Sequence, residues 1–297
     1  MSPPRPTPPV IAFAVAATGV ACFAAMDAAM KQLSIDIGVY SAVLWRSLAG
    51  VAIGIGPFLA SKRGWPAPKL LRLHGLRGLV SGLSVLLFFW GIVRMPLAPG
   101  IALTFIAPLM TLFLAALLLG EAVGAGAVVG SLIAFGGVLT IVAGELRVAV
   151  GPEVLWAAIA ILGAAALYAY NLILMRRQAQ LAPPVEVAFF LNLTLGAGLL
   201  LAAPLFFERL PPTGSLPLIG VAALLSFISL MLLSWAYARA EASYLSAVEY
   251  TAFIWGSLLG YWVFGETLGV LTMVGAGLIV AGCLVVARRP APGIETA

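Results

Sequence analysis

The chain has 297 residues, 63% hydrophobic and 9% charged, with a mean hydropathy of +1.12 and a formal net charge of +5. A soluble domain carries about 25% charged residues, so most of this chain has no water-facing surface to cover, and apolar runs long enough to cross a bilayer recur along it. This composition predicts an all-α polytopic membrane protein and excludes a β-barrel, whose strands would alternate apolar and polar residues over about 10 positions.

The chain opens on a Pro-rich tail, MSPPRPTPP, taken with residues 288–297 as a short terminal extension. Ten transmembrane helices are predicted at residues 10–30, 39–60, 76–93, 97–119, 125–144, 154–175, 187–206, 216–237, 244–264 and 268–287. The first apolar run is too long for a signal-peptide core and is read as a retained helix. The stretch ELRVAVGP at 145–152 is the natural seam between two halves, residues 10–144 and 152–287.

Those halves are copies. With a constant offset of 145, residues 79–142 lie over 224–287 without a gap, and 16 of the 64 pairs are identical. Matched leucines and alanines carry little weight in apolar helices. Ser81/Ser226, Ser84/Ser229, Trp90/Trp235, Arg94/Arg239, Gly120/Gly265, Glu121/Glu266 and Gly130/Gly275 carry much more. Orientation follows from charge. With the N-terminus inside, eleven basic residues (Arg5, Lys62, Arg63, Lys69, Arg72, Arg77, Arg176, Arg177, Arg239, Arg288, Arg289) lie on the inner side, against Lys31, Arg94, Arg147 and Arg209 outside. Both termini are thus predicted cytoplasmic. Five helices per half is an odd number, so the second copy enters the membrane from the opposite face. The pair forms an inverted repeat, the usual basis of alternating access.

Few residues in the spans can do chemistry. Cys22 and Cys283 are isolated thiols in apolar segments, and His74, the single histidine, is placed in a basic loop, so no metal centre, cofactor or catalytic constellation is predicted. There is no G-x-x-x-x-G-K-[ST] motif for nucleotide. Basic residues cluster at helix ends, which argues against a nucleic-acid partner. The expected partners are the lipid bilayer and a small-molecule substrate, and a monomer is compatible with two fused repeats.

Intramembrane polar residues are the candidate site. Asp27 shares a helical face with Phe23 and Met30 and either lines a cavity or pairs with Lys31. Asn171 is its counterpart under a shift of 144. Glu249, where the first half has Thr104, shares a face with Ser246, Phe253 and Gly256; it either serves transport or forms an ion pair with Arg46 or Arg239. Arg46 stays charged and needs a carboxylate, carbonyls or substrate. Ser84 and Ser229, with Ser81 and Ser226, are read as helix-packing residues, with a cavity role as the alternative because Phe88 continues their face. Tyr168, Asn171 and Trp255 offer stacking and hydrogen bonding. Pro108 is expected to free a carbonyl mid-span. Glu121 and Glu266 follow glycines at short turns and are expected to cap the next helix. A cavity between the halves would be bounded by spans one, three, four, six, eight and nine.

Two five-helix units, each ending its fourth helix on Gly-Glu and continuing into a Gly-rich fifth, resemble the EamA repeat of the drug/metabolite transporter superfamily. The segments are PLMTLFLAALLLGEAVGAGAVVGSLIAFGGV and FIWGSLLGYWVFGETLGVLTMVGAGLIVAGC. Arg46, within VLWRSLAG, matches an arginine those repeats often carry, and the second half lacks it. By length and layout the chain is most similar to the YddG-type aromatic amino acid exporters. That resemblance implies a non-enzymatic exporter in a bacterial inner membrane, moving aromatic amino acids; other amino acids or drug-like metabolites are the alternative. A membrane sensor and an intramembrane enzyme are the remote alternatives.

Overall fold

The computed structural model describes residues 8–61, 64–94, 103–121, 123–145, 152–206, 210–264 and 270–288. The sequence readings at Arg5, Lys62, Arg63, Met95–Pro96, the 146–151 seam, Arg147, Arg209, Gly265–Glu266 and Arg289 lie outside these residues, as do the side chains of Phe253 and Cys283. Among the described residues are ten helices of 14 or more residues and no strand. They are α1 (Pro9–Ile37), α2 (Val39–Ala60), α3 (Pro68–Ile92), α4 (Ile106–Leu119), α5 (Ala125–Glu145), α6 (Pro152–Leu181), α7 (Pro184–Phe206), α8 (Leu216–Tyr237), α9 (Thr251–Phe264) and α10 (Val270–Arg288). Four of them, α1, α3, α6 and α7, begin on proline, whose fixed φ suits a first turn where its missing N–H has no partner to lose.

The apolar residues point outward as well as inward. Leu117, Leu201 and Trp262 are 79%, 84% and 74% exposed. Such a surface is stable only against lipid, and the chain is a polytopic membrane protein. Six helices (α1, α2, α3, α6, α7 and α8) are long and apolar enough to cross unaided.

The predicted spans at 97–119 and 244–264 are not continuous helices. At 14 residues each, α4 and α9 rise only about 21 Å, against about 30 Å of hydrocarbon. Phe105 sits in a turn immediately before α4. Before α9 the chain forms a four-residue helix, Ala242–Leu245, and a 3-10 stretch, Ser246–Tyr250. The two breaks fall at matched positions, because Phe105 and Tyr250 are 145 apart. Their buried rings stack on each other, with centroids 5.7 Å apart and planes at 21°. Ala134 and Ile279, also 145 apart, are buried in the same cluster.

Helix packing follows the duplication. Contacts of α1 with α8 are matched by α6 with α3, those of α2 with α8 by α7 with α3, and those of α4 with α6 by α9 with α1. Two further extensive pairs, α2 with α7 and α5 with α10, each join an element to its own copy, while α7 packs on α8 more closely than α2 does on α3. This is the pattern a two-fold relation between the halves produces. Crossing of α5 and α10 depends on absent side chains: a Cβ on Gly137 would fall 2.6 Å from the Gly275 carbonyl, and one on Gly282 would fall 2.5 Å from the Gly130 carbonyl.

The matched Trp and Arg residues form local caps. Arg94 donates to the Trp90 carbonyl at 2.9 Å and stacks on its indole at 4.1 Å; Arg239 does the same to Trp235 at 3.0 and 3.9 Å. Each guanidinium closes the C-terminal end of α3 or α8. Gly120 is the left-handed C-cap of α4 (φ +68°), and it redirects the chain so that Glu121 does not cap α5. Instead its carboxylate crosses to the other repeat. It accepts the backbone N–H groups of Ala242 and Ser243 at 3.2 and 3.0 Å and pairs with Arg176 Nε of α6 at 3.3 Å. Arg176 also donates to the Tyr237 carbonyl. This end of the bundle is filled by a buried cluster that includes Ala16, Ala115, Met175, Leu233, Tyr237 and Leu245.

Candidate substrate cavity

Between the repeats lies a cavity of about 160 Å³, on the scale of a single ring. It is bounded by α1, α2, α3, α4, α6, α7, α8, α9 and the 3-10 stretch; α2 and α7 are additional to the helices expected from sequence. Of the sequence candidates, Phe23, Asp27, Arg46, Ser84, Phe88, Thr104, Pro108, Tyr168, Asn171 and Glu249 line it.

The others lie elsewhere. Met30 is fully buried, packed with Leu33, Phe89 and Ile92, because α2 covers this turn of α1; Met26, one turn earlier, lines the cavity. Ser229 is buried in the α8 core away from it. Trp255 is 36% exposed, on the outer side of α9. Pro108 lies in the first turn of α4 and not mid-helix, so its missing N–H breaks no hydrogen bond.

Four charged side chains face this space: Asp27, Arg46, Arg77 and Glu249. Asp27 and Arg46 are electrostatic neighbours in its lining. Arg46 Nη1 donates to Ser226 Oγ at 3.2 Å and contacts Met26 Sδ at 3.6 Å, while its Nε is buried without a hydrogen-bond partner among the described residues. Glu249 forms no ion pair with Arg46 or Arg239 there. The Tyr168 hydroxyl donates to Glu249 Oε2 at 2.9 Å, and Glu249 Oε1 is buried and unpartnered. Because Glu249 lies in a 3-10 segment, the face drawn for it on an α-helix does not hold. Ser84 donates to the Ala164 carbonyl at 2.8 Å across the α3–α6 contact. The rings of Phe23, Phe88 and Phe105 complete the wall.

Sequence reasoning missed Arg77 and its neighbours. The charge pattern puts Arg77 among the inner-surface charges and His74 in a loop. Because α3 starts at Pro68, His74 is helical and Arg77 lies well inside the helix instead of at its end, and both are 1% exposed. Arg77 Nε donates to Asn171 Oδ1 at 3.0 Å and Nη1 to Gln178 Oε1 at 2.8 Å. Gln178 Nε2 lies 2.9 Å from His74 Nδ1, and His74 Nε2 lies 3.4 Å from Glu186 Oε1. The signal was in the spacing: His74, Arg77, Ser81, Ser84 and Phe88 recur every three or four residues, as do Ala164, Tyr168, Asn171, Met175 and Gln178.

The sequence profile of the EamA-like transporter family matches residues 10–143 and again 155–288. This chain belongs to the EamA-like transporter family. Its two EamA repeats span nearly the whole length. An "uncharacterized transporter" of Helicobacter pylori strain J99 is 25% identical over 274 residues, covering 90% of this chain and 91% of its own. The pseudopaline exporter CntI of Pseudomonas aeruginosa is 25% identical over 284 residues, covering 90% and 92%. A solved crystal structure superposes with a TM-score of 0.74 at 21% identity, covering 93% of this chain and 98% of the other, and so shares the EamA fold. These matches point to a membrane transporter and not an enzyme.

Proposed function

We propose that the chain exports small zwitterionic metabolites across a bacterial cytoplasmic membrane by alternating access, with aromatic amino acids as the substrate. One observation carries this reading. The cavity holds a buried cationic donor, Arg46 Nε, and a buried anionic acceptor, Glu249 Oε1, neither of which has a hydrogen-bond partner among the described residues. Leaving such groups unpaired costs about 1–3 kcal/mol each, and a molecule carrying both a carboxylate and an ammonium relieves both. Two arginines and two carboxylates in the lining balance formally, so a ligand of zero net charge preserves the balance. Phe23, Phe88 and Phe105 offer faces to a ring.

In this reading the halves are inverted, both termini are cytoplasmic, and the Glu121 contacts hold the inner end closed while the halves rock. Energy comes from a gradient, since the sequence has no nucleotide-binding motif. A second reading, export of pseudopaline or a similar metabolite, is favoured by the likeness to CntI along 90% of the chain.

Counterflow in proteoliposomes tests both. Labelled phenylalanine or tryptophan should accumulate only in vesicles preloaded with the same amino acid and containing protein, and the rate at two pH values reports proton dependence. Accumulation driven by preloaded pseudopaline alone would replace the first reading with the second. Reporter fusions at residues 62–65 and 145–150 should report opposite sides; the same side for both would overturn the topology.

A further inference from the structure

Among the described residues the electrostatic neighbour of Arg46 is the Asp27 carboxylate, whereas that of Arg77 is the Tyr168 hydroxyl. The groups bonded to Arg77 are the neutral amides of Asn171 and Gln178. A guanidinium does not give up its proton in proteins, so a buried one surrounded by neutral groups is a cation waiting for an anion. Its Nε and Nη1 are already committed, which fixes the plane of the group and leaves the Nη2 edge.

Hydrogen-bond polarity then runs outward from the cavity in one direction. Arg77 can only donate, so the Gln178 oxygen must face it and the Gln178 amino group must face His74. That amino group can only donate, so His74 Nδ1 is the acceptor. The imidazole proton is therefore on Nε2, pointing at the Glu186 carboxylate. Stacking on Phe190, at 4.6 Å and 18°, holds the ring in its plane. Reversing any member would set donor against donor.

We propose that Gln178, His74 and Glu186 are positioning residues that fix the guanidinium of Arg77, and that Arg77 joins Arg46 in binding the substrate carboxylate. The proposal rests on the zwitterion reading above. Glu186 supplies the negative charge that the chain needs but is held off by two neutral links, so it orients Arg77 without neutralising it. Arg46 meets the same carboxylate through its unpartnered Nε.

Two measurements on the full-length protein test this. The chain has one histidine, so 15N-histidine labelling gives a single imidazole in the NMR spectrum. It should be the neutral Nε2–H tautomer, and Gln178→Leu should shift the Nδ1 resonance by removing its donor. A wild-type Nδ1–H tautomer would overturn the chain of hydrogen bonds. The second measurement compares phenylalanine with phenethylamine, which lacks the carboxylate, as competitors in counterflow. Gln178→Leu should raise the KM for phenylalanine about tenfold, with the maximal rate and the constant for phenethylamine within about twofold of wild type. Gln178→Glu, which keeps an acceptor for Arg77 but adds a charge, should not restore phenylalanine. An equal change for both compounds would mean a merely structural role and would overturn the proposal. If wild type moves neither compound, the substrate class fails, and the tautomer still judges the positioning chain.

Discussion

Removing the Glu121 carboxylate should open the end of the bundle at which α4, α6 and α8 terminate. It makes three contacts there: two backbone N–H groups of the other repeat, at 3.2 and 3.0 Å, and Arg176 Nε at 3.3 Å. The two paired side chains are only 11% and 9% exposed, so water replaces little of what is lost. Hydrogen bonds to a charged group are worth about 1.5–3 kcal/mol each. Arg176 keeps the Tyr237 carbonyl, and the two amides regain water once the end opens. Glu121→Ala should then weaken the closed packing by about 3 kcal/mol, roughly a hundredfold in the open population. Glu121→Gln keeps one oxygen acceptor and should cost about half as much, a factor of roughly ten. A cysteine at Ala165 in the cavity wall, in a background with Cys22 and Cys283 replaced by serine, reports this through its rate of reaction with an impermeant maleimide applied from the Glu121 side. Labelling of both variants at the parent rate would refute the reasoning, because the carboxylate would then contribute nothing to closure.

Tyr168→Phe leaves Glu249 with neither oxygen bonded among the described residues; it should lower stability by about 1–2 kcal/mol, seen as an earlier thermal transition, and added substrate should recover part of the loss. Gly282→Ala places a methyl group 2.5 Å from a backbone carbonyl and should cost about 1–3 kcal/mol by forcing α5 and α10 apart, whereas Gly277→Ala on the same helix, with open space around it, should melt as wild type does. Glu241 lies in the turn after α8, where burial and then the nearby Glu121 charge push its carboxyl above the ordinary value. A raised pKa makes its contribution to stability complete at low pH and lost as pH rises through the folded value, so Glu241→Gln should raise the melting temperature at pH 7–8 and converge with wild type at acid pH.

The fold was legible because the duplication is a long-range signal carried by residues that cannot be exchanged cheaply. Trp90 and Trp235 with Arg94 and Arg239 recur because a helix end needs the same cap in both copies. Cavity residues such as Asp27 and Glu249 were visible for a different reason, since a carboxylate at membrane depth calls for an explanation. His74 escaped notice because α3 runs eight residues farther toward its N-terminus than the predicted span, and that polar first part reads as a loop; Arg77, the second residue of that span, reads as a surface charge at a helix end. The breaks before α4 and α9 were hidden because nothing in an apolar run distinguishes a 3-10 turn from an α-helix.

The contact between Phe105 and Tyr250, each the other's duplicate, has a meaning beyond packing. An isologous interface, in which a patch meets itself, is what a dimer of identical subunits makes. In such a dimer every group lining an on-axis chamber appears twice, and a bound molecule can be turned end for end at no cost. Fusion into one chain lifts that restriction, since each copy is then free to drift. Here Thr104 stands where its duplicate is Glu249, and Tyr250 carries a hydroxyl that Phe105 lacks. A ligand with unlike ends would therefore meet unlike surroundings, and its way round would be set by the differences between the copies.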